Sequence, residues 1–128
     1  MKVDSKKILY SVCIASILTS CAIRKPCAEG GDISWSPKID GDKKCTQKKL
    51  PNGKIVNDGP FKQAYRSTNE IALEGQFELG QKQGIWLFYG EDRKLKTAKF
   101  FEKGVEKTPP PAVQKEIDLI IQQKTSMK

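Results

Sequence analysis

Ile71-Ala72-Leu73-Glu74-Gly75-Gln76-Phe77-Glu78-Leu79-Gly80, followed after three residues by Gly84-Ile85-Trp86-Leu87-Phe88-Tyr89, decides how this chain folds. In the first stretch Ile71, Leu73, Gly75, Phe77 and Leu79 alternate with Ala72, Glu74, Gln76 and Glu78. That period of two predicts a β-strand with one buried face. In the second stretch Trp86 and Phe88 point to one side while Ile85, Leu87 and Tyr89 point to the other. A strand that is apolar on both faces is central in its sheet or covered on both sides.

The two stretches belong to a repeat that runs from Asn52 to Glu106. Gly59 aligns with Gly84 and Phe61 with Trp86 at a spacing of 25; Tyr65 with Tyr89, Ile71 with Leu95, Phe77 with Phe101 and Gly80 with Gly104 follow at 24. Each unit reads as strand, polar turn, strand and glycine corner. Ser67-Thr68-Asn69 and Glu91-Asp92-Arg93 fill the polar turns, where Asn69 adopts a left-handed conformation more readily than Arg93. The second unit, Gly84-Ile85-Trp86-Leu87-Phe88-Tyr89 with Leu95, Phe101 and Gly104, resembles the variant MORN repeat of bacteria. The first unit matches through Gly59, Phe61, Tyr65, Ile71, Gly75, Phe77 and Gly80, and Leu50-Pro51-Asn52-Gly53 reads as the tail of a partial unit before it. One departure is Lys99, which stands where the first unit has Gly75. The resemblance implies consecutive β-hairpins and a membrane-associated scaffolding or binding role; some related proteins are labelled antitoxins.

Phe61, Tyr65, Phe77, Trp86, Phe88, Tyr89, Phe100 and Phe101 make an aromatic series that could serve as a stacking platform for carbohydrate or nucleic acid. A sheet of about 60 residues buries a modest fraction of its surface and needs such rings for its core, which is the reading we adopt. Phe100 falls on the face opposite Leu95 and Phe101, so it lies under a C-terminal element or is available to a partner. Trp35, the one aromatic residue of a polar stretch, is the second candidate binding residue.

At the N-terminus Lys2, Lys6 and Lys7 precede an uncharged run from Ile8 to Ile23. The run is short of the roughly 20 residues of a spanning helix and has the layout of a secretory signal. Its end, Leu18-Thr19-Ser20-Cys21, resembles the bacterial lipobox. That resemblance implies cleavage before Cys21, acylation of its sulfur, and attachment to a membrane by several acyl chains, one chain alone binding only marginally. Ala22, where an inner-membrane protein would carry Asp, implies the outer membrane rather than the inner. Expected segments are a signal peptide at 1–20, a lipidated tether at 21–45, the hairpin-repeat domain at 46–107, and a proline-rich linker with a helix at 108–128.

With Cys13 in the signal and Cys21 acylated, Cys27 and Cys45 remain, and a Cys27–Cys45 disulfide is the leading expectation for an oxidising compartment. Two free thiols are the alternative. The 128 residues carry 23 Lys+Arg and 15 Asp+Glu, a net charge of +8; without 1–20, which hold three lysines and one aspartate, it is +6. Basic and acidic residues alternate, as in Lys43-Lys44 beside Asp42, which favours a solvated mixed surface over a nucleic-acid patch. The surplus also suits attraction to anionic lipid headgroups.

There is no histidine, which excludes Ser-His-Asp triads, Cys-His pairs and His-ligated metals. Asp32, Asp40 and Asp42 lack the later acidic ligands of a calcium loop, so no metal or cofactor is expected. Glu74, Glu78, Glu91 and Glu102 could in principle support glycoside chemistry, but they fall at alternating surface positions and turns. After Pro109-Pro110-Pro111, Val113, Ile117, Ile120 and Ile121 recur at helical spacing and predict an amphipathic helix. The sequence thus predicts a mainly β chain, an antiparallel meander of hairpins with a C-terminal helix. It would act as a lipid-anchored, non-enzymatic binding or scaffold module for a protein or cell-wall partner. The alternatives are an envelope carbohydrate- or peptide-active enzyme and an antitoxin-like protein binder.

Overall fold

The alternating stretch forms the third of six strands in the computed structural model, which describes residues 25–32 and 35–126. The strands are β1 (Lys43–Lys49), β2 (Ile55–Ala64), β3 (Ile71–Glu78), β4 (Gln81–Tyr89), β5 (Leu95–Glu102) and β6 (Val105–Lys107). All neighbours pair antiparallel and the spatial order is the chain order, so the sheet is a plain meander. A helix, α1 (Pro111–Ser126), follows it. The fold class is the one the periodicities predict.

The sequence period recurs in the backbone. Leu79 and Gly80 have φ of 51° and 85°, and Lys103 and Gly104 have 49° and 84°. Positive φ at both residues of a two-residue loop is the hairpin geometry that matches strand twist. It joins β3 to β4 and β5 to β6. Side chains brace both corners, Asp58 Oδ1 accepting from the Leu79 amide and Gln83 Oε1 from that of Lys103, each at 3.0 Å. The longer turns correspond too, with Asn69 at φ 59° and Arg93 at 67°. Arg93 takes the conformation it was expected to resist because its amide donates to the Gly90 carbonyl at 3.0 Å and its guanidinium pairs with Glu70 at 3.0 Å.

The core lies on the face that carries Phe61, Leu73, Phe77, Trp86 and Phe101. Trp86, 0% exposed, stands at its centre with ring centroids of Phe77 at 5.2 Å, Phe61 at 5.9 Å and Phe101 at 6.3 Å. The buried face ends before the strand does, because Ile71 and Leu79, at the two ends of the alternation, are 41% and 50% exposed. Gly75 leaves room for the indole, since a Cβ there would lie 2.2 Å from Trp86 Cδ2. On its other flank Trp86 is opposite Lys99, whose ammonium reaches Glu106 at 3.3 Å. No third large ring follows to demand a glycine, which accounts for the lysine in the second unit. Gly75→Ala is expected to destabilise by about 1–3 kcal/mol by overpacking, and to cost far less in a Trp86→Ala background. Additive losses in chemical denaturation would show that the two sites do not share this space.

The opposite face is covered in part by α1, which packs against β5. Phe100, 8% exposed, and Ile117, 4% exposed, are buried there together with Leu87. Val113 and Ile120 are half-buried, whereas Ile121 of the expected stripe is exposed, as is Leu119. Among the described residues no helix is long and apolar enough to cross a membrane.

The stretch expected as a tether departs from that expectation. Its described residues from Lys25 onward lie on the core face, with Cys27, Trp35 and Ile39 packed against the buried cluster. A single sheet cannot bury an aromatic face by itself and needs a second layer. This irregular segment supplies it.

Candidate functional site

The described residues between 25 and 42 are attached to the sheet by polar contacts at both ends of the segment. Cys27 and Cys45 form a disulfide with their Cα atoms 5.9 Å apart. Lys25 and the Gln47 side chain exchange two hydrogen bonds: the Lys25 amide donates to Oε1 at 3.0 Å, and Nε2 donates to the Lys25 carbonyl at 2.8 Å. Asn57, fully buried, donates through Nδ2 to the Cys27 carbonyl at 2.9 Å, and its amide donates to the Gly30 carbonyl at 2.6 Å. At the far end Gln63 Nε2 donates to the Ile39 carbonyl at 2.6 Å. Asp40 pairs with Arg66, and with Lys43 at 3.4 Å; the hydrogen bond from Arg66 is the main reason its carboxyl titrates below the ordinary range. Asn57 and Gln63 carry no sequence signal for this role, because a polar residue in a strand normally faces water and nothing local says that another segment will cover it.

Trp35 sits at the middle of this cover. Its ring centroid lies 5.1 Å from that of Phe88, 5.7 Å from Trp86 and 6.5 Å from Phe101. The Lys82 ammonium stands 3.9 Å from the Trp35 centroid and 3.8 Å from Asp32 Oδ2. A cation over an indole face is held by the ring quadrupole. Burial lowers the pKa of Lys82, against the attraction of Asp32, which raises it. Both expected binding residues are therefore engaged in packing: Trp35 is half-buried in the cover and Phe100 is buried on the helix side. Cys21, the expected acylation site, lies outside the described residues.

The acidic residues are dispersed. Glu102 pairs with Lys107 at 3.2 Å, Glu91 accepts from Ser67 Oγ at 3.0 Å, and Glu74 and Glu78 stand on β3. Among the described residues no three Asp, Glu, Cys or His side chains gather where they could hold a metal ion.

What the fold leaves open is the helix-side face over β1, β2 and β3. A groove of about 480 Å³ lies there, bordered by Lys44, Thr46, Pro60, Lys62, Ala64 and Ile71. Lys44 is the direct cross-strand partner of Lys62, and Lys62 in turn faces Glu74. Cross-strand partners share a face, so the row runs as two ammonium groups followed by a carboxylate. The adjoining sheet edge, β1, carries Lys43, Lys44, Lys48 and Lys49, while the other edge, β6, has three residues. Lysine-rich and very short strands are the usual devices that discourage unwanted pairing at a sheet edge.

The chain matches no family model, no curated protein and no solved structure.

Proposed function

We propose that this chain is a lipid-anchored lipoprotein of the bacterial cell envelope whose sheet acts as a non-catalytic binding or scaffold module, carried on acyl chains at Cys21 and placed at the outer membrane. The observation that carries this reading is the Cys27–Cys45 disulfide, six residues after Cys21, which fits an oxidising compartment and ties the segment next to the lipobox-like stretch to the folded sheet. The variant MORN resemblance points the same way, toward a membrane-associated module built of hairpins. The dispersed carboxylates favour binding over hydrolysis, since glycoside chemistry needs two of them held across one bond.

Replacing Cys21 by Ala is expected to abolish acylation and cleavage. The measurement is intact mass together with membrane fractionation. The wild-type chain is expected to begin at Cys21 with acyl groups added, and Cys21→Ala to keep its leader without them. A normally sized, acylated Cys21→Ala product would sink the anchor assignment. Sustained turnover of wall polymers by the purified protein would replace the binding role with an enzymatic one.

A further inference from the structure

We infer that the lysine-bearing face of β1 and β2, with Lys44, Lys48 and Lys62 at its centre, is the surface that this protein lays against an anionic lipid bilayer. The inference deepens the reading above and rests on Cys21 as the anchor.

Reach comes first. Lys25 is fastened to Gln47 of β1 by two hydrogen bonds, and Cys27 is bonded to Cys45 of β1. Only four peptide steps separate Cys21 from Lys25. At most about 3.3–3.6 Å per residue, they span about 14 Å. The sulfur that would enter the bilayer is thus confined to the neighbourhood of β1. The domain cannot stand off on a long tether, and β1 is the strand that the anchor keeps nearest the headgroups.

Charge comes second. Cys45 faces the core, and with the strand's period of two Lys44, Thr46 and Lys48 fall on the other face, where Lys44 meets Lys62 of β2. Like charges directly opposite each other on a sheet are destabilising. Among the described residues Lys44, Lys48 and Lys62 make no ion pair within 4.0 Å, whereas Lys43, Lys82, Lys96, Lys99 and Lys107 each do. Of the eleven described lysines without such a pair, six (Lys25, Lys44, Lys48, Lys49, Lys54 and Lys62) lie on β1, on β2 or in the segments joined directly to β1; Lys44, Lys48 and Lys62 are on the face opposite the cover, so the anchor would reach their side around the β1 edge. The groove is lined by Lys44 and Lys62 with Pro60, Ala64 and Ile71, and by one carboxylate, Asp42, so a headgroup phosphate there would meet two ammonium groups and an apolar backing against a single like charge. Lysines at the membrane surface are drawn to anionic lipid, and the attraction fades within a screening length.

The test is to reconstitute the full chain into vesicles of pure phosphatidylcholine and into vesicles with about one third phosphatidylglycerol, and to read lysine acetylation site by site by mass spectrometry. Labelling of Lys44, Lys48 and Lys62 is expected to fall at least threefold in the anionic vesicles at low salt and to recover in high salt, with Lys94 of the β4–β5 turn and Lys96 at the start of β5 unchanged. In Lys44→Glu/Lys62→Glu the protection of Lys48 is expected to disappear. Equal labelling in the two vesicle types overturns the inference, as does protection that appears only in native envelope membranes, which would assign the face to a protein or wall partner. Either acyl chains or an uncleaved apolar leader would hold the chain on the vesicle. The labelling contrast is therefore read whether or not Cys21 is acylated, and intact mass reports separately on the anchor.

Discussion

Trp86→Ala is expected to lower the unfolding free energy by about 3–5 kcal/mol, the range for removing a large aromatic side chain from a packed core. The indole is fully buried and touches rings from three directions: Phe61 and Phe77 from the first repeat unit, Phe101 from the second, and Trp35 from the N-terminal cover. Its loss leaves a cavity that neighbouring strands cannot close, because their spacing is set by backbone hydrogen bonds. In a domain that buries little apolar surface to begin with, such a loss is most of the stability margin. Urea unfolding followed by far-ultraviolet circular dichroism measures it. A loss under about 1 kcal/mol would mean that the ring is a surface residue held for a ligand.

The second large effect is expected from Cys27→Ser/Cys45→Ser, at about 3 kcal/mol, because the bond closes a loop of 18 residues in the unfolded chain. Reduction of the wild-type protein is expected to lower its thermal midpoint to that of the double variant and to leave the variant unchanged. Loss of stability is not expected to be uniform. The cover holds to the sheet through the disulfide, the Lys25–Gln47 bonds and Asn57, so it is the part that opens first, while β3, β4 and β5 stay paired. Hydrogen exchange should therefore rise at Gly30 and Ile39 well before it rises at Leu73 or Leu87. A uniform rise across the sheet would instead make the bond a general entropic brace with no special hold on the cover.

The hairpins were legible because each is a local event. Alternation in Ile71–Gly80, the double-sided apolar run of Gly84–Tyr89 and a period of 24–25 residues specify strands, their pairing and their corners without reference to distant parts of the chain. Even the left-handed Arg93 is imposed by its own turn and by Glu70, its neighbour in the preceding one. The helix was legible for the same reason, from the spacing of Val113, Ile117 and Ile120, although Ile121 turned out to face solvent.

The candidate site was less legible. Trp35 and Phe100 are the residues that composition alone makes conspicuous, and both are used for packing, on opposite faces of the sheet. The positions that matter for the open face, Lys44 and Lys62, lie 18 residues apart, the first in a run of mixed charge that reads as solvated surface and the second alone among uncharged residues. Strand register places them opposite each other, and register depends on the turn from Leu50 to Lys54 and on the irregularity between Cys45 and Gln47.

By itself, then, the sequence determined the meander, the corners and the helix, because those follow from local periodicity and backbone preference. The tertiary structure decided that the polar stretch after Cys27 is the second layer of the core rather than a tether. An irregular segment has no period to announce which face it buries; what draws it onto the sheet is an aromatic surface that begins at Phe61, 26 residues beyond Trp35, joined to it by a disulfide, a buried asparagine and an indole that find their partners only when the chain is folded.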